Sequence, residues 1–516
     1  MSESKSFFYL EDFLQSNLTG IKTLKLLLGK NDLDEIQITN LALALNGCQQ
    51  IENLMLDLES NEISEEDLTN ICSSLQQMKQ LKSLSLNFTQ NALDQKKISI
   101  ITSTLVSYKN LQRLQMYLEL GLEDKECLNT QISKIEKCPQ IQKLSLMFQQ
   151  KEENEDQINV EELQSLISLL ANLTNLNNLE IGFGFTQVNL KIINLLATSL
   201  IQTKNLNSLK ICLQNTKVGD QDLQELSNRL PELKNLQHLS LYLDSTQISS
   251  LGIVNLFQSL QKCKTLNDLE LNMRLEKNQF QESSCLFFEL GKCINLQSLT
   301  LLNYGNDYSD DSVSGLAACL SNLINLANLN LNLGDCSISK VGLKNLASCL
   351  GSSQNLKSLK IDLSGNNIGD DSTIELANGF NNCENLRDLS LSLNGCEIQQ
   401  KGAFELGQGF QHLKNLLSLK LNLGQNQIGD QGISQLLNSL SNSQNLFSLI
   451  FFIGDCNMTE EGANNIILAL RKYLSIKCLQ LNLSGNNFNY EFFKKLRTRI
   501  KKKKQLVLLN FMIECY

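Results

Sequence analysis

The sequence has few of the residues and motifs on which catalytic and metal sites are built. Its 516 residues include two histidines and no tryptophan. No serine or cysteine that departs from the repeating pattern lies beside a plausible base, so a hydrolytic triad has no support. The chain also lacks a CxxC pair, a Cys/His spacing typical of zinc sites, and the phosphate-binding pattern GxxxxGK[ST]. We therefore expect no enzyme, no catalytic residues, no metal site and no cofactor.

Long apolar runs are missing as well. No stretch of about 20 apolar residues is present, which predicts that the chain has no membrane span. The first residues, MSESKSFFYLEDFLQS, have acidic residues just after a short apolar run and no small-residue cleavage site, so they do not indicate a signal peptide. With no sign of secretion, the sixteen cysteines are expected to be free thiols in a reducing compartment. We expect a cytoplasmic protein.

An excess of positive charge is absent too. The formal net charge is −9 and the pI is near 5.1, which argues against a general nucleic-acid binder. Two prolines, against frequent Asn, Gln, Lys and Ile, match the bias of AT-rich coding in ciliates and some other protists. Apolar residues make up 42% of the chain and suffice for a large core. The length suits three or four ordinary domains or one long array.

A repeat with a fixed period decides between these two organisations. The pattern LxxLxL recurs seventeen times, at steps of 30 residues with a single step of 35. Its first residues, called anchors below, are Ile21, Ile51, Leu81, Leu111, Ile141, Leu176, Leu206, Leu236, Leu266, Leu296, Leu326, Leu356, Leu386, Leu416, Leu446, Ile476 and Leu506. A fixed period of this size is typical of stacked repeats. The sequence therefore predicts an array of about 17 repeats of 30 residues.

Each repeat begins with the period of a strand. In LQHLSLYLDSTQI, residues 236–248, leucines alternate with polar or aromatic residues, which places the leucines on one face of a strand. Ten residues past the anchor lies a small polar residue or a cysteine, such as Asn366 or Cys396. This column resembles the Asn/Cys position of leucine-rich repeats, which implies that the side chain bonds turn backbone that would otherwise be buried without a partner.

Helical spacing follows the turn. Gly-Asp pairs occur where helices should begin, at 219–220, 369–370 and 429–430, and the aspartate there is expected to cap the first turn. Apolar residues then recur at helical spacing, as at Ile433 and Leu436. Most cysteines occupy equivalent positions in successive repeats, which indicates a role in packing. One strand and one helix therefore make up each repeat.

The stretches LKSLKIDLSGNNIGDDSTIELANGF (356–380) and LLSLKLNLGQNQIGDQGISQLLNSL (416–440) resemble leucine-rich repeats, in particular those of the ribonuclease-inhibitor-like branch. The resemblance covers about residues 21–516. It implies an α/β fold, a right-handed leucine-rich-repeat solenoid (horseshoe) with a parallel sheet on the concave face and α-helices on the convex face. Residues 1–20 are expected to form an N-terminal cap or degenerate repeat, and residues 21–516 a single solenoid.

The solvent-facing strand positions on the concave face are expected to bind a protein. Exposed tyrosines beside charged residues suit a protein contact, because tyrosine brings a large contact area at low entropy cost. The alternative is that isolated exposed aromatic residues are common on any surface. The candidate residues are Tyr117, Met147, Tyr242, Asp244, Asp268, Glu270, Arg274 and Tyr304.

Two parts of the array concentrate charge. The acidic insertion at about 149–160 is either a solvated loop or a docking loop for a basic partner. The C-terminal capping repeat, 491–516, is basic, and its charge either solubilises the cap or binds an acidic partner such as an acidic protein surface, an anionic membrane or nucleic acid. Its basic residues are Lys494, Lys495, Arg497, Arg499, Lys501, Lys502, Lys503 and Lys504. The strand pattern resumes at Leu506, which predicts that the basic helix lies inside the fold.

These features predict a non-enzymatic scaffold for protein–protein interactions. An even array fits a component of a large assembly, and the compositional bias suggests a cytoskeletal structure such as a ciliary axoneme. The resemblance leaves an alternative, a regulator of a partner enzyme that is either an inhibitor or an activator of a small GTPase. An activator presents an arginine or asparagine to the nucleotide, and Arg113 and Arg274 are strand-borne candidates. We expect no small-molecule substrate and no specific nucleic acid.

Overall fold

Strands and helices alternate along the chain, as the change of period predicts. The computed structural model describes residues 3–120, 135–150, 165–184, 188, 190–274, 286–440, 445–473, 475–488, 490–501 and 508–512. The chain divides into two compact units, and the first comprises Met1–Ile248 and Lys262–Thr265. The second comprises Ser249–Gln261 and Leu266–Tyr516. The predicted single solenoid over 21–516 stays a prediction.

The first unit contains parallel strands, each hydrogen-bonded to the next one in the sequence. Residues one repeat apart lie opposite each other, as Leu24, Leu54 and Leu84 do. Across the one longer step Leu144 lies opposite Leu179, so the insertion leaves the register of the leucines intact. The strands are β1 (Glu3–Phe7), β2 (Ile21–Leu27), β3 (Asn53–Asp57), β4 (Ser83–Asn87), β5 (Arg113–Leu120), β6 (Lys143–Gln150), β7 (Asn178–Gly184), β8 (Ser208–Cys212) and β9 (His238–Tyr242).

Helices connect the strands of the first unit. Among the described residues they are α1 (Leu10–Leu14), α2 (Glu35–Asn46), α3 (Glu65–Gln77), α4 (Gln95–Leu105), α5 (Ser165–Asn172), α6 (Leu190–Leu200) and α7 (Asp220–Arg229). Short polar side chains begin several of them. The side chains of Asp34 and Ser64 accept hydrogen bonds from the backbone of the third helical residue in α2 and α3, which satisfies one of the free N–H groups of each first turn.

Residues 3–14 extend the sheet beyond the first anchor. β1 pairs in parallel with β2, and Phe7 lies opposite Leu26. Leu10 and Phe13 of α1 are buried, and the ring centroids of Phe7 and Phe13 are 5.6 Å apart. A short strand and a short helix therefore cover the edge of β2.

The second unit repeats the same plan of parallel strands and helices. Its strands keep one register throughout, as in the series Leu299, Leu329, Leu359 and Leu389. The strands are β10 (Asp268–Asn272), β11 (Ser298–Leu302), β12 (Asn328–Asn332), β13 (Ser358–Asp362), β14 (Asp388–Ser392), β15 (Ser418–Asn422), β16 (Ser448–Phe452), β17 (Cys478–Asn482) and β18 (Leu508–Met512). The helices within the described ranges are α8 (Ser250–Leu260), α9 (Asp310–Asn322), α10 (Lys340–Ser352), α11 (Gly369–Gly379), α12 (Gln400–Phe410), α13 (Gly429–Leu440), α14 (Glu460–Lys472) and α15 (Tyr490–Lys501).

Alternate strand residues build the core of each unit. Leu239, Leu241 and Leu243 are at most 1% exposed, as the two-residue period predicts. Helix positions at helical spacing, such as Ile433 and Leu436, are buried as well. Burial of one leucine side chain contributes about 2 kcal/mol, so every repeat adds several such contributions. None of the helices that the structure describes is both long enough and apolar enough to cross a lipid bilayer.

Two kinds of turn alternate in the second unit from residue 306 onward, ten residues past the anchors. Cysteine turns contain Cys336, Cys396 and Cys456, whereas asparagine turns contain Asn366, Asn426 and Asn486. The turn residue just before this position has a positive φ, which is 50° at Asp335 and 69° at Gly365. A side chain on Gly365 would overlap with the carboxylate of Asp335, so the glycine leaves room for the aspartate of the preceding repeat.

The asparagine side chain bonds the backbone of its own turn and of the turn before it. Oδ1 of Asn426 accepts from the N–H groups of Cys396 and Ile398, at 3.1 and 2.9 Å. Its Nδ2 donates to the carbonyl groups of Leu393 and Leu423, both at 2.8 Å. These bonds confirm that the side chain in this column satisfies buried turn backbone. The two amides of a cysteine turn need an acceptor that a second thiol would supply only weakly.

The cysteine turn bonds the preceding asparagine turn in a different way. Sγ of Cys396 donates to the carbonyl of Leu363 at 3.2 Å. The backbone carbonyl of Cys396 accepts from the N–H of Gly369, where the asparagine turn ends, at 2.9 Å. The asparagine turn therefore supplies the acceptor that a cysteine side chain lacks, and the cysteine turn donates its thiol to the preceding repeat.

The aspartates of two Gly-Asp pairs bond the following repeat, whereas the sequence predicts that they cap the first turn of their own helix. Oδ1 of Asp370 accepts from the backbone N–H of Gln399 at 2.8 Å, and Oδ1 of Asp430 from that of Thr459 at 2.8 Å. A side chain on Gly402 would overlap with the carboxylate of Asp370. The expected local cap is therefore wrong at these two positions, because the start of the next helix lies closer to the carboxylate.

Candidate functional site

The face of each sheet opposite the buried leucines presents side chains to solvent. The first, third and fifth residues of most strands are partly or fully exposed, and we call this surface the exposed sheet face. Residues that lie opposite one another in the register form rows across neighbouring strands, at a spacing of about 4.8 Å. The rows place side chains from distant parts of the sequence next to one another.

In the first unit one row joins three of the predicted residues. Tyr117, Met147, Gly182, Cys212 and Tyr242 lie opposite one another on successive strands. A Cβ on Gly182 would lie 2.5 Å from Sδ of Met147, so the thioether lies over the glycine. The structure thus brings Tyr117 and Met147 together on adjacent strands, and it places Tyr242 three strands further along the same row.

An ion pair that the sequence reasoning missed lies beside Tyr242. Nζ of Lys210 is 2.8 Å from Oε1 of Glu180 and 4.9 Å from the ring centroid of Tyr242. Oγ of Ser145 donates to the other carboxylate oxygen of Glu180 at 3.1 Å. Burial favours the neutral lysine, but the hydrogen bond and the charge of Glu180 outweigh it and raise the pKa of Lys210. Opposite charges in one column of adjacent repeats are the sequence signal for this pair.

The hydroxyl of Tyr117 lies in an acidic environment. The side chain is half-buried, and its oxygen accepts a hydrogen bond from Nε2 of Gln115 at 3.3 Å. Burial raises the pKa of Tyr117, and the charges of Asp57, Glu180 and Glu59 raise it further. The phenol is therefore held neutral, and its O–H is available as a hydrogen-bond donor.

Of the remaining predicted residues of the exposed sheet face, some lie in the first unit and the others in the second. Asp244 follows β9 in the first unit, and its backbone carbonyl accepts from the N–H of Asn215 at 3.1 Å. Asp268 and Glu270 lie on β10 in the second unit, and Glu270 is opposite Thr300 of β11. Four of the eight predicted residues therefore belong to each unit.

Arg274 and Tyr304 each lie over a glycine of the following repeat. A Cβ on Gly305 would be 3.5 Å from Nε of Arg274, and a Cβ on Gly334 would be 3.0 Å from Cδ2 of Tyr304. The hydroxyl of Tyr304 donates to the carboxylate of Asp335, and this bond raises the pKa of the tyrosine while Arg274 opposes the shift. Tyr304 stays 49% exposed, so its ring is available to a partner.

The described part of the basic end is helical. Lys494, Lys495 and Arg499 are exposed on α15, and Nη1 of Arg499 donates to Oδ1 of Asn464 at 3.0 Å. The same helix contains Arg497 and Lys501, whereas Lys502, Lys503 and Lys504 lie outside the described residues. β18 follows and pairs with β17, which confirms that the basic helix lies inside the fold. Of the acidic insertion, Gln149 and Gln150 end β6, and 151–160 lie outside the described residues.

A second feature that the sequence reasoning missed is an apolar group in the second unit, with two residues on the exposed sheet face of β16 and two just before β15 and β16. It consists of Leu417, Phe447, Ile450 and Phe452, which we call the C-terminal patch. Leu417 and Phe447 are 44% and 46% exposed. The residue that follows the anchor is polar or charged in most repeats, so an apolar leucine or phenylalanine at this position is the sequence signal for an exposed apolar patch.

Comparison with known proteins does not assign a family. Neither the models of protein families nor the curated proteins with which the sequence was compared give a match. The resemblance to leucine-rich repeats therefore stays a prediction made from the residues.

Proposed function

We propose that this protein is a non-enzymatic scaffold that binds another protein on its exposed sheet face. The observation that carries the proposal is the row from Tyr117 to Tyr242. It holds large, partly exposed side chains on a rigid parallel sheet, with Lys210 and Glu180 fixing the charge beside one ring. Large side chains on a rigid backbone lose little entropy on binding, which is the property of strong contact residues.

The proposal includes the finer description of the fold. We infer a right-handed leucine-rich-repeat solenoid of the ribonuclease-inhibitor-like branch, with the exposed sheet face on its concave side. The 30-residue register and the asparagine and cysteine turns support this inference. Membership of a large cytoplasmic assembly, such as a ciliary axoneme, is part of the same proposal, and its support is the compositional bias. An experimental structure tests the handedness directly.

Affinity capture with the tagged full chain tests the binding function. From a lysate of the source organism we expect a discrete set of proteins at fixed stoichiometry. The double variant Tyr242→Ser/Lys210→Ser should weaken capture by about tenfold or more, since contact residues of this kind contribute about 2 kcal/mol. The matched control is Leu468→Ser, which removes a 54% exposed apolar side chain from α14. Equal capture by both variants contradicts the proposal, as does turnover of a small molecule by the purified chain.

The basic end is the proposed site for an acidic partner. Lys494, Lys495 and Arg499 are exposed on one helix, where positive charge attracts an acidic protein surface. Neutralising these three residues should remove one captured protein and leave the others. A captured set that does not change means that the charge only solubilises the cap.

A regulator of a partner enzyme is the second candidate, and the placement of Arg274 favours it. The guanidinium of Arg113 is bound to Oδ1 of Asn53 at 2.7 Å, whereas that of Arg274 lies over Gly305 beyond the end of β10. GTP hydrolysis by a small GTPase that is stimulated by the full chain, and no longer stimulated by Arg274→Ala, supports this candidate. Lack of stimulation across candidate GTPases sets it aside.

A further inference from the structure

Cations flank the C-terminal patch on β13 to β17 and just before these strands. They are all exposed and comprise Lys357, Lys360, Arg387, Lys420 and Lys477. Nζ of Lys420 lies 5.7 Å from the ring centroid of Phe452, and Nζ of Lys477 lies 5.7 Å from that of Phe447. The ammonium groups of Lys420 and Lys477 therefore border the two phenylalanine rings of the patch.

Backbone hydrogen bonds fix part of this surface as a single row. The row begins with Lys357 and Arg387, continues with Leu417 and Phe447, and ends at Lys477. Each residue donates its N–H to the carbonyl of the one before, at 2.8 Å for the first three bonds and 2.9 Å for the last. Four intervals of about 4.8 Å give the row a length of roughly 19 Å, which suits a short segment of a partner.

The charges of this row lack the pairing found in the first unit. There the corresponding row alternates in sign, with Glu52 bound to Lys22 at 3.1 Å and to Lys82 at 2.7 Å. Among the described residues, none of the five cations around the C-terminal patch has a carboxylate within 4.0 Å. Lys357 and Arg387 are adjacent like charges, and such neighbours repel each other. A negatively charged ligand would relieve this repulsion.

We infer that the C-terminal patch and its cations bind an acidic segment of a partner protein that carries an aliphatic or aromatic anchor residue. The inference rests on the proposed scaffold function and names the chemistry of one partner. The anchor would cover Leu417 and Phe447 and exclude water, and this strengthens the attraction between the partner's carboxylates and the surrounding cations. A hydrophobic centre with a charged rim is the arrangement of well-formed interfaces.

Nucleic acid fits the same surface less well. Asp362 and Asp388 lie on the exposed face of the neighbouring strands, where a chain of phosphates would meet them. The centre of the patch includes aliphatic Leu417 and Ile450, which offer no ring for base stacking. The net charge of −9 also repels a polyanion at long range.

Selection of displayed peptides on the full chain tests the inference. The probe is a library of random 12-residue peptides, with the variant Leu417→Ser/Phe447→Ser as the counter-selection target. We expect selected peptides that place Asp or Glu next to Leu, Ile, Phe or Trp. Labelled copies should lose about tenfold or more in affinity, measured by fluorescence anisotropy, with Leu417→Ser/Phe447→Ser and with Lys357→Glu/Arg387→Glu. Their binding should also weaken as salt is raised.

Matched controls separate this patch from the rest of the molecule. Leu468→Ser and Lys401→Glu change an exposed apolar and an exposed basic residue on helices, and both should leave peptide binding unchanged. Recovery of no peptides after counter-selection overturns the inference, as does recovery of patch-dependent peptides without acidic residues. In either case capture that depends on Tyr242 and Lys210 still supports the scaffold function. Tighter binding of a single-stranded 20-nucleotide oligo-dT, lost in the same variants, also overturns the inference and identifies a nucleic-acid surface.

Discussion

At the scale of single residues, asparagine and cysteine in the turn column differ in the hydrogen bonds that they can accept. Oδ1 of Asn426 accepts from two buried amides of the preceding repeat, whereas Sγ of Cys396 mainly donates. Both side chains are small and fit the same space in a repeat. Their difference in hydrogen-bonding capacity therefore decides which residue suits which turn.

The variant Asn426→Cys should expose this difference. The thiol can still donate to a carbonyl, but the amides of Cys396 and Ile398 lose their acceptor, at a cost of about 2 kcal/mol. Hydrogen exchange measured by mass spectrometry should show those two amides exchanging at least about tenfold faster. The control is Asn367→Cys, which alters an exposed asparagine of a neighbouring turn. Unchanged exchange at Cys396 and Ile398 contradicts the argument.

The buried thiols predict a loss of stability in alkaline solution. Burial raises the pKa of Cys396 from 9.0 to about 12. Because the thiol of the unfolded chain loses its proton near pH 9 while the folded one keeps it, the free energy of unfolding is unaffected below about pH 9 and falls as the pH rises toward 12. Urea unfolding at several values above pH 8 should show the decline. Cys396→Ser keeps a neutral donor and should make the decline shallower, and an identical decline in both proteins would count against the argument.

Much of this residue-level picture follows from the sequence, but the partners of each group do not. The column ten residues past the anchor predicts that its side chains bond turn backbone, and the structure confirms it at Asn426. The alternation of acceptors depends on which amides of the previous repeat point toward the column. Likewise Lys210 and Glu180 stand in one column, but only the register of β7 and β8 shows that they touch.

At the scale of helices and strands, contacts between repeats replace the local caps that the sequence suggests. Asp430 lies in the first turn of α13 but bonds the backbone and side chain of Thr459, at the start of α14. A side chain on Gly462 would overlap with that same carboxylate, so the glycine provides its space. An aspartate in one repeat and a glycine in the next therefore act as a pair.

Substitution of this glycine should show coupling with the aspartate. Gly462→Ala should cost about 2 kcal/mol, because its Cβ would meet the carboxylate of Asp430 and lie 2.5 Å from Cγ of Met458. In the background Asp430→Ala the same change should cost about 1 kcal/mol less. Denaturant unfolding of the four proteins in this cycle measures the difference, and Glu461→Ala is the control at an exposed neighbour. Strict additivity would show that the two residues act independently.

At the scale of the whole molecule, the order of strands and helices was predictable, because each repeat carries its own change of period. Every anchor is followed by a strand at the expected place, from β2 to β18. The division into two units follows from contacts that no single repeat encodes. The C-terminal patch was missed for a similar reason, since Leu417 and Phe447 are unremarkable until their exposure is known.

Two deletions in the second unit should differ in stability, and the larger deletion should be the less damaging one. Deletion of 339–398 removes two repeats, and the turn of Cys336 is then followed by that of Asn426, which restores the acceptor for its amides. Deletion of 339–368 removes one repeat and makes Cys396 follow Cys336, so two buried amides lose their acceptor. Ser372 would also take the place of Gly342, where a Cβ lies only 3.0 Å from Oδ1 of Asp310.

The larger deletion should therefore yield the more stable protein. We expect a melting temperature at least about 4 °C higher for the chain lacking 339–398 than for the chain lacking 339–368. Thermal unfolding followed by circular dichroism measures both. A higher melting temperature for the shorter deletion would mean that the alternation of turns contributes little.

The two alternating turns also constrain how such an array changes in length over evolution. Unequal recombination between misaligned copies of the gene adds or removes whole repeats. In the second unit an odd change leaves two like turns adjacent, whereas an even change restores every hydrogen-bonding partner. In this half of the array, loss of a single asparagine repeat would therefore be disfavoured, because it leaves the amides of a cysteine turn without an acceptor, whereas loss of that repeat together with its cysteine neighbour would not.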